Sequence, residues 1–361
     1  MINKNIHNFT KLLINNFVVN DVITKRVLNK LPNAEKIYFE DNNLKEILAL
    51  HDSPNTLLLT KLKGDPVVMC PGTTKYHCCN YRILNVGHNC SFGCTYCILQ
   101  DYLKTESISV FTDTTSYMQK NIIGNYINSK QLYRIGTGEF TDSLIADEIS
   151  ELSTDLVNVF KDHKNVILEL KTKSVSIENL LKIEPANNII VAWSVNSELV
   201  TNSSEKDTPS LDERLKAAKK ITDHGYDVAF HFDPVILYKD YTDDYKNTIN
   251  KIYKIIPKEK IRWISIGTLR FTKGLKPTFI RKSPLYMDEF ILADDQKFRY
   301  LRFRREKAYK ELIDAIKNHH PDQFVYLCME SPTIWKNVFG FNFKDNEEFE
   351  KWFNEKVFTH L

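Results

Sequence analysis

Short apolar runs alternate with amphipathic stretches of helical period from about residue 80 onward. Runs rich in β-branched and aromatic residues predict strands, and strands that alternate with helices predict βαβ units and a parallel sheet. The predicted strands cover Tyr81–Gly87, Leu132–Glu139, Val166–Lys171, Ile189–Val195, Asp227–Asp233 and Ile261–Thr268. The pattern therefore favours an α/β fold built around parallel strands.

Two of the predicted helices have clear boundaries. Ser210 begins one of them, because Glu213 follows three residues later as in a capping box, and Gly225 is typical of its C-terminus. The other covers Asp243–Ile256 and ends before Pro257. Six strands joined by crossover helices predict a partial (β/α)6 TIM-like barrel.

Three regions are expected along the chain. They are a small α/β N-terminal extension at 1–79, the barrel core at 80–293, and a helical C-terminal region that closes the barrel at 294–361. In the extension, one or two helices are predicted before a strand at Thr56–Leu62 and an apolar run at Pro66–Cys70. In the C-terminal region, a helix is predicted from Asp294 to His319, followed by a short strand at Phe324–Met329.

The composition is that of an ordinary globular protein, with 42% hydrophobic and 26% charged residues among 361. The formal net charge of +3 is too small to decide for or against nucleic acid. No apolar run reaches the roughly 20 residues of a membrane span, and the N-terminus lacks the apolar core of a signal peptide. Seven cysteines make a poor disulfide framework in a long chain, so we expect a cytoplasmic protein.

The strongest chemical signal is the CxxxCxxC spacing of Cys90, Cys94 and Cys97. Three thiolates can hold three irons of a [4Fe–4S] cluster and leave the fourth iron open to an outside ligand. This pattern is typical of radical S-adenosylmethionine (SAM) enzymes, in which SAM is that ligand and is cleaved to a 5′-deoxyadenosyl radical. Tyr96 supplies the aromatic residue usual before the third cysteine and is expected near the SAM adenine.

A structural zinc site, or a set of structural cysteines, is the alternative. Four-ligand zinc sites usually carry two CxxC or CxxH pairs, whereas Cys70, Cys78 and Cys79 lie upstream without that spacing. His88 lies two residues before Cys90 and could complete a tetrahedral site. The cluster is the favoured interpretation, and metal analysis separates the two.

Polar residues follow the predicted strands, where an α/β barrel carries its chemistry. Gly138 and Glu139 end the second strand and suit the methionine group of SAM, the alternative being a turn with a solvated Glu. Lys173 and Ser194 follow the next two strands and could bind the SAM carboxylate or ribose, although a lone Lys there is more often a solvated charge. Candidate catalytic carboxylates on the same rim are Asp142 and Asp233.

Two clusters interleave cations with aromatic rings, as phosphate contact and base stacking require. The first covers Arg270–Lys273 and continues through Lys276, Arg281 and Lys282; the second covers Lys297–Arg305 and continues to Lys307 and Lys310. The candidate nucleic-acid ligands are Arg270, Lys273, Arg302 and Arg304. The alternative is a helix with a charged face and an apolar core stripe, which Phe298, Leu301 and Arg305 fit.

From about residue 38 to residue 340 the sequence resembles the spore photoproduct lyase family of radical SAM proteins. The resemblance is carried by Ile98-Leu99-Gln100, Lys171-Thr172-Lys173, Trp193-Ser194-Val195-Asn196-Ser197, Leu211–Ala218 and Arg270–Lys273. It implies a (β/α)6 core, one cluster, SAM contacts at Lys173 and Ser194, and reversal of the thymine–thymine adduct called spore photoproduct. In that reaction the adenosyl radical removes a hydrogen from the lesion, and a protein cysteine returns one.

The chain departs from the family pattern where hydrogen return is concerned. The family's donor cysteine lies just after the second strand, where this chain has Glu139. The family's lyases also carry a Tyr after the third cluster cysteine, where this chain has Ile98. We therefore expect a divergent member without the donor cysteine, in which Cys328 or another residue takes that role.

The sequence thus predicts a lyase-like radical SAM enzyme that acts on a pyrimidine lesion in DNA. A small electron-transfer protein such as flavodoxin or ferredoxin is the expected reductant. One alternative is an enzyme of the same family that acts on a nucleotide, a peptide or a small metabolite. The other is a non-catalytic zinc or cluster-bearing protein that binds nucleic acid.

Overall fold

The computed structural model describes residues 9–72, 75–114, 122, 125–205, 207–275 and 284–360. Contacts between Cα atoms group the chain into two units. The first takes in the chain up to Val68, Arg82–Ser91 and Tyr102–Ile189; the second takes in Met69–Tyr81, Phe92–Asp101 and the chain from Ile190 onward. The division into 1–79, 80–293 and 294–361 remains a prediction.

The first unit contains a mostly parallel sheet with the strand order β2-β1-β3-β7-β6. Its strands are β1 (Lys11–Asn15), β2 (Glu35–Phe39), β3 (Thr56–Thr60), β6 (Gly87–His88) and β7 (Ile108–Phe111). Strand β1 pairs in parallel with β2 and β3, whereas β6 pairs antiparallel with β7. Helices α1 (Val22–Lys30) and α2 (Leu44–His51) connect the first three strands.

The prediction of helices alone before the strand at Thr56–Leu62 is therefore wrong, because strands β1 and β2 precede it. Their five-residue runs are too short for periodicity to separate a strand from a helix. Burial explains why they form strands: a small apolar core gathers on this sheet. Its members are Leu13, Phe39 and Leu58, with Ile37, Leu44, Ile47 and Leu48 packed against them.

Three further strands of the first unit run in parallel: β5 (Arg82–Leu84), β8 (Tyr133–Gly136) and β9 (Val166–Thr172). Ile135 of β8 is paired with Arg82 on one side and Leu168 on the other. These strands confirm three of the predicted ones, the first two being shorter than expected. The remaining elements here are β4 (Val67–Met69), α4 (Asp147–Ser150) and α5 (Leu152–Phe160).

The second unit contains four parallel strands in the order β16-β12-β11-β10. They are β10 (Ile189–Ser194), β11 (Asp227–Val235), β12 (Ile261–Thr268) and β16 (Val325–Leu327). The helices that accompany them are α3 (Leu99–Tyr102), α6 (Glu198–Ser204), α7 (Leu211–His224) and α8 (Tyr241–Ile255). The capping box at Ser210 and Glu213 is present, as predicted.

An antiparallel sheet precedes the long C-terminal helix. Its order is β13-β15-β14, with β13 at Arg270–Phe271, β14 at Phe290–Leu292 and β15 at Phe298–Tyr300. The helix predicted from Asp294 therefore begins only at Arg302, as α9 (Arg302–His319). Residues before it form β15 because the buried Arg299 pairs with Asp295 and donates to the carbonyl of Met329.

Aromatic rings form the core beneath the last two helices, α10 (Pro332–Phe339) and α11 (Asn346–Val357). Trp335 lies against Phe343 and Phe349, with ring centroids 5.0 Å apart in both pairs. The buried His77 ring lies 5.4 Å from Phe343. In the described part of the chain, no helix is long and apolar enough to cross a membrane.

Acidification should weaken the fold through His77. Burial lowers the pKa of this imidazole, although Asp345 and Glu348 oppose the shift. The unfolded chain then binds the proton more readily, so stability is present above the unfolded pKa of about 6.5 and is lost below it. We expect His77→Phe to flatten the fall in urea midpoint between pH 7 and pH 5. An unchanged slope in the variant would contradict this assignment.

Candidate functional site

Cys90 lies in the first unit, at the start of the cysteine motif. The preceding residue, Asn89, has a left-handed backbone with φ of 71°, which Asn tolerates better than most residues. Its N–H donates to the carbonyl of Phe140 at 2.8 Å, and its carbonyl accepts from the hydroxyl of Thr141 at 2.7 Å. The start of the motif is therefore fixed to the loop that follows strand β8.

Cys94 and Cys97 lie in the second unit, within one turn. The N–H of Cys97 donates to the carbonyl of Cys94 at 3.0 Å, and Gln100 donates to the same oxygen at 2.6 Å. Gly93 has φ of 56° and allows the sharp turn that precedes Cys94. The turn then leads directly into α3.

The donor chemistry fits an iron–sulfur cluster. All seven cysteines are within the described ranges, and none forms a disulfide. Among the described residues, no three or more His, Cys, Asp or Glu side chains are grouped as ligands of a single metal ion would be. A cluster does not require such convergence, because each thiolate binds a separate iron. His88, the extra ligand of the zinc alternative, packs instead against Phe111 and Phe140, with ring centroids 5.0 and 5.9 Å away.

Tyr96 belongs to a buried polar network in the second unit. Its hydroxyl donates to Glu205, and the guanidinium of Arg214 donates to the other oxygen of the same carboxylate. Arg214 also donates to the carbonyl of Ser194 at 3.0 Å. Burial and the neighbouring carboxylate raise the pKa of Tyr96 well above its usual value. Two SAM candidates, Tyr96 and Ser194, are thus joined through residues that the sequence analysis did not identify.

A sequence signal for Arg214 does exist. The residue lies on the apolar stripe of α7 with Leu211, Leu215 and Ala218, at the spacing where another core residue is expected. An Arg on such a stripe needs a buried partner. The identity of that partner, Glu205, could not be read from the pattern, because it belongs to a separate segment.

In the first unit, Gly138 and Glu139 lie beside the end of strand β9. A Cβ atom on Gly138 would lie 2.7 Å from both the Cβ and the carbonyl oxygen of Lys171, so only glycine fits there. Glu139 forms an ion pair with Lys171, and both side chains are partly exposed. The carboxylate predicted to bind the SAM amino group therefore has a cationic neighbour within the protein.

Asp142 organises the loop after β9. Its carboxylate accepts from the hydroxyl of Thr172 and the N–H of Lys173, both at 2.6 Å, and from the N–H of Leu144 at 3.0 Å. Burial raises its pKa, and these hydrogen bonds oppose the rise. Asp142 thus holds Lys173, a SAM candidate, through its backbone.

Replacing Gly138 with Ala should disturb both the fold and SAM binding. The new methyl group would displace Lys171 and with it Glu139, and overpacking of this kind costs about 1–3 kcal/mol. Gly340→Ala is the matched control: it has φ of 82° and nothing within 4 Å of a Cβ, so only backbone strain arises. We expect SAM affinity, measured by anaerobic calorimetry, to fall in Gly138→Ala and to remain in Gly340→Ala. Equal affinities would contradict the steric argument.

Asp233, Arg270 and Cys328 come together in the second unit, where strands β11, β12 and β16 end. Arg270 forms a bidentate ion pair with Asp233, with N–O distances of 3.0 and 3.1 Å. One of its nitrogens lies 3.7 Å from the sulfur of Cys328. Two candidate catalytic residues therefore share one guanidinium.

The candidate nucleic-acid ligands differ in their surroundings. Arg270 pairs with Asp233 and Arg304 with Asp288, so both are already engaged within the protein. Lys273 is exposed, and the side chain of Arg302 is 63% exposed, with Glu306 3.5 Å away. Lys276, Arg281 and Lys282 of the first basic cluster lie outside the described residues. Contact with phosphates remains a prediction, and Lys273 and Arg302 are the better placed candidates.

Spore photoproduct lyases from more than one organism are similar to this chain in sequence. The spore photoproduct lyase of Clostridium acetobutylicum is 23% identical over 230 residues, which cover 62% of this chain and 66% of the relative. The spore photoproduct lyase of Bacillus subtilis is 22% identical over 221 residues, 58% of this chain and 62% of the relative. The matches therefore span just under two thirds of these relatives.

Solved structures of spore photoproduct lyase are similar in fold. One in complex with dinucleoside spore photoproduct is 18% identical and has a TM-score of 0.75, covering 89% of this chain and 99% of that chain. Another, a variant with bound AdoMet and dinucleoside spore photoproduct, has the same TM-score over 88% of this chain. The likeness confirms the predicted fold class, a partial (β/α)6 barrel.

A family model extends the likeness from fold to sequence. The model, described as spore photoproduct lyase, matches residues 73–324, which is more than half of the chain. The match includes the cysteine motif and the ends of strands β8 to β12. The chain therefore belongs to the spore photoproduct lyase family.

Proposed function

We propose that this protein is a radical SAM enzyme that acts on a pyrimidine lesion in DNA. The observation that carries the proposal is the CxxxCxxC motif within a chain of the spore photoproduct lyase family. When bound, a [4Fe–4S] cluster and SAM supply one-electron cleavage of a carbon–sulfur bond, which yields a 5′-deoxyadenosyl radical. The protein's own residues bind, orient and shield the reactants.

Cys90, Cys94 and Cys97 are the proposed cluster ligands. The proposed SAM ligands are Tyr96, Gly138, Glu139, Lys173 and Ser194. Glu139 suits the SAM ammonium group because it is a partly exposed carboxylate just after the end of strand β8. Lys173 suits the SAM carboxylate because Asp142 holds its backbone in place.

A DNA lesion is the proposed substrate because solved relatives contain dinucleoside spore photoproduct. Exposed cations at Lys273 and Arg302 suit the phosphates on either side of a lesion. Cys328 is the proposed hydrogen donor, since it lies at the end of β16 beside Arg270 and Asp233. The usual donor position is taken by Glu139.

A second candidate function keeps the radical chemistry and changes the substrate. It is favoured by the ion pair of Glu139 with Lys171 at the position where the family has its donor cysteine. A small polar substrate could use this pair for binding. Product formation should then be insensitive to salt, whereas DNA binding weakens steeply as ionic strength rises.

The test is anaerobic reconstitution with iron and sulfide, followed by SAM and dithionite, with and without DNA that carries spore photoproduct. We expect 5′-deoxyadenosine and recovered thymine only with the lesion. Cleavage of SAM that is indifferent to the lesion would support the second candidate. Zinc without iron in the purified protein would overturn both.

A further inference from the structure

We propose that four residues of the second unit, Ser204, Glu205, Asp207 and Tyr286, form a docking platform for residues 93–96 of the cysteine motif. In this proposal Ser204, Glu205 and Tyr286 are positioning residues for the iron–sulfur cluster. The inference rests on the proposed function. The platform residues contact the sequence neighbours of Cys94 and Cys97. They are not themselves proposed as ligands of the cluster.

Thr95, between Cys94 and Tyr96, is held by its backbone and its side chain. Its N–H donates to the carbonyl of Ser204 at 2.9 Å. Its hydroxyl lies 2.8 Å from the hydroxyl of Tyr286, which donates to the hydroxyl of Ser204 at 2.7 Å. Ser204 is fully buried and Tyr286 is 2% exposed, so water does not compete for these bonds.

Tyr96 adds a further hydrogen bond, and Gly93 adds a close approach of the backbone. Tyr96 is 7% exposed and donates its hydroxyl to Glu205, which is itself held by Arg214. A Cβ atom on Gly93 would lie 3.2 Å from a carboxylate oxygen of Asp207, so the backbone passes close to the platform there. Thr95 and Tyr96 are therefore hydrogen-bonded to the platform, and the backbone at Gly93 passes close to it.

These contacts hold the backbone of Cys94 on both sides. Gly93 and Thr95 flank it, and Tyr96 directly precedes Cys97, whose N–H is bonded to the carbonyl of Cys94. Metal ligands that are oriented by surrounding hydrogen bonds bind more tightly and present a single geometry to the metal. We infer that the platform preorganises the thiolates of Cys94 and Cys97 before the cluster enters.

Two single substitutions test the inference, because each removes one hydroxyl and keeps the ring. Tyr286→Phe breaks the bridge from Thr95 to Ser204, and Tyr96→Phe breaks the bond to Glu205. Tyr253→Phe is the matched control: it removes a 3.0 Å bond to Gln323 in the same unit, away from the motif. The measurements are the rate of iron loss from the reconstituted protein to a chelator and the electron paramagnetic resonance spectrum of the reduced cluster.

We expect iron loss to be about fivefold faster in Tyr286→Phe and Tyr96→Phe, the ratio that loss of one buried hydrogen bond produces. Their spectra should broaden or split, a signature that a general loss of stability does not give. Tyr253→Phe should match the wild type in both measurements. If all three variants match the wild type, the platform is refuted while the cluster stands. If the wild type itself binds no iron, the proposed function falls, and this inference with it.

Discussion

We expect Cys94→Ala to hold little iron and to make no 5′-deoxyadenosine above the reagent background. In the proposed cluster each thiolate of the motif binds its own iron, so removing one leaves two protein ligands where three are needed. Cys94 is also the most confined of the three, with 6% exposure and two hydrogen bonds on its carbonyl. A water molecule therefore has little room to replace its sulfur. The measurements are iron and sulfide per chain and 5′-deoxyadenosine after addition of dithionite.

Cys328→Ala is the matched control for iron content. Cys328 lies beside Arg270 in the second unit and is not part of the motif, so this variant should bind iron as the wild type does. The same variant also reports on hydrogen return, since loss of the donor should lower the yield of thymine without lowering the iron content per chain. Production of 5′-deoxyadenosine by Cys94→Ala at the wild-type level would refute the assignment of the cluster.

Elements with long patterns or sharp boundaries were predictable. Strands β9 to β12 lie where the alternation of apolar runs and helices places them, and the capping box at Ser210 fixes the start of α7. Strands β1, β2 and β15 were not predictable, although the equally short β3, β5, β8 and β16 lie within predicted strands. Strands β1 and β15 are too short to show a hydrophobic period, and tertiary contacts determine their secondary structure. For β15 that partner is the pair of Arg299 with Asp295.

The site shows the same division between local and distant information. The cysteine motif is local, and its spacing alone predicts the cluster. The partners of the charged residues are distant in sequence. Arg270 and Arg304 resemble phosphate ligands in the sequence, but each has a carboxylate partner from another segment. Glu205 could not be identified for the same reason, since its partners Tyr96 and Arg214 lie in two other segments.

Breaking the buried pair of Arg214 and Glu205 should cause a large loss of stability in the second unit. Both side chains are essentially fully buried, and Arg214 donates to Glu205, to two backbone carbonyls and to Thr208. Glu205→Gln removes the negative charge and leaves the guanidinium buried without an anion. Removing one partner of such a pair costs about 3–5 kcal/mol. The measurement is the free energy of unfolding in urea, with the protein free of cluster.

Glu198→Gln is the control, since it makes the same chemical change in an exposed ion pair with Lys251 in the same unit. Lys251 retains Asp212 at 3.0 Å, and solvent screens the pair, so this variant should lose less than about 1 kcal/mol. The difference in free energy of unfolding between the two variants reports the effect of burial, because both replace a Glu with Gln. If Glu205→Gln unfolds at the same urea concentration as Glu198→Gln, the buried pair does not stabilise the fold.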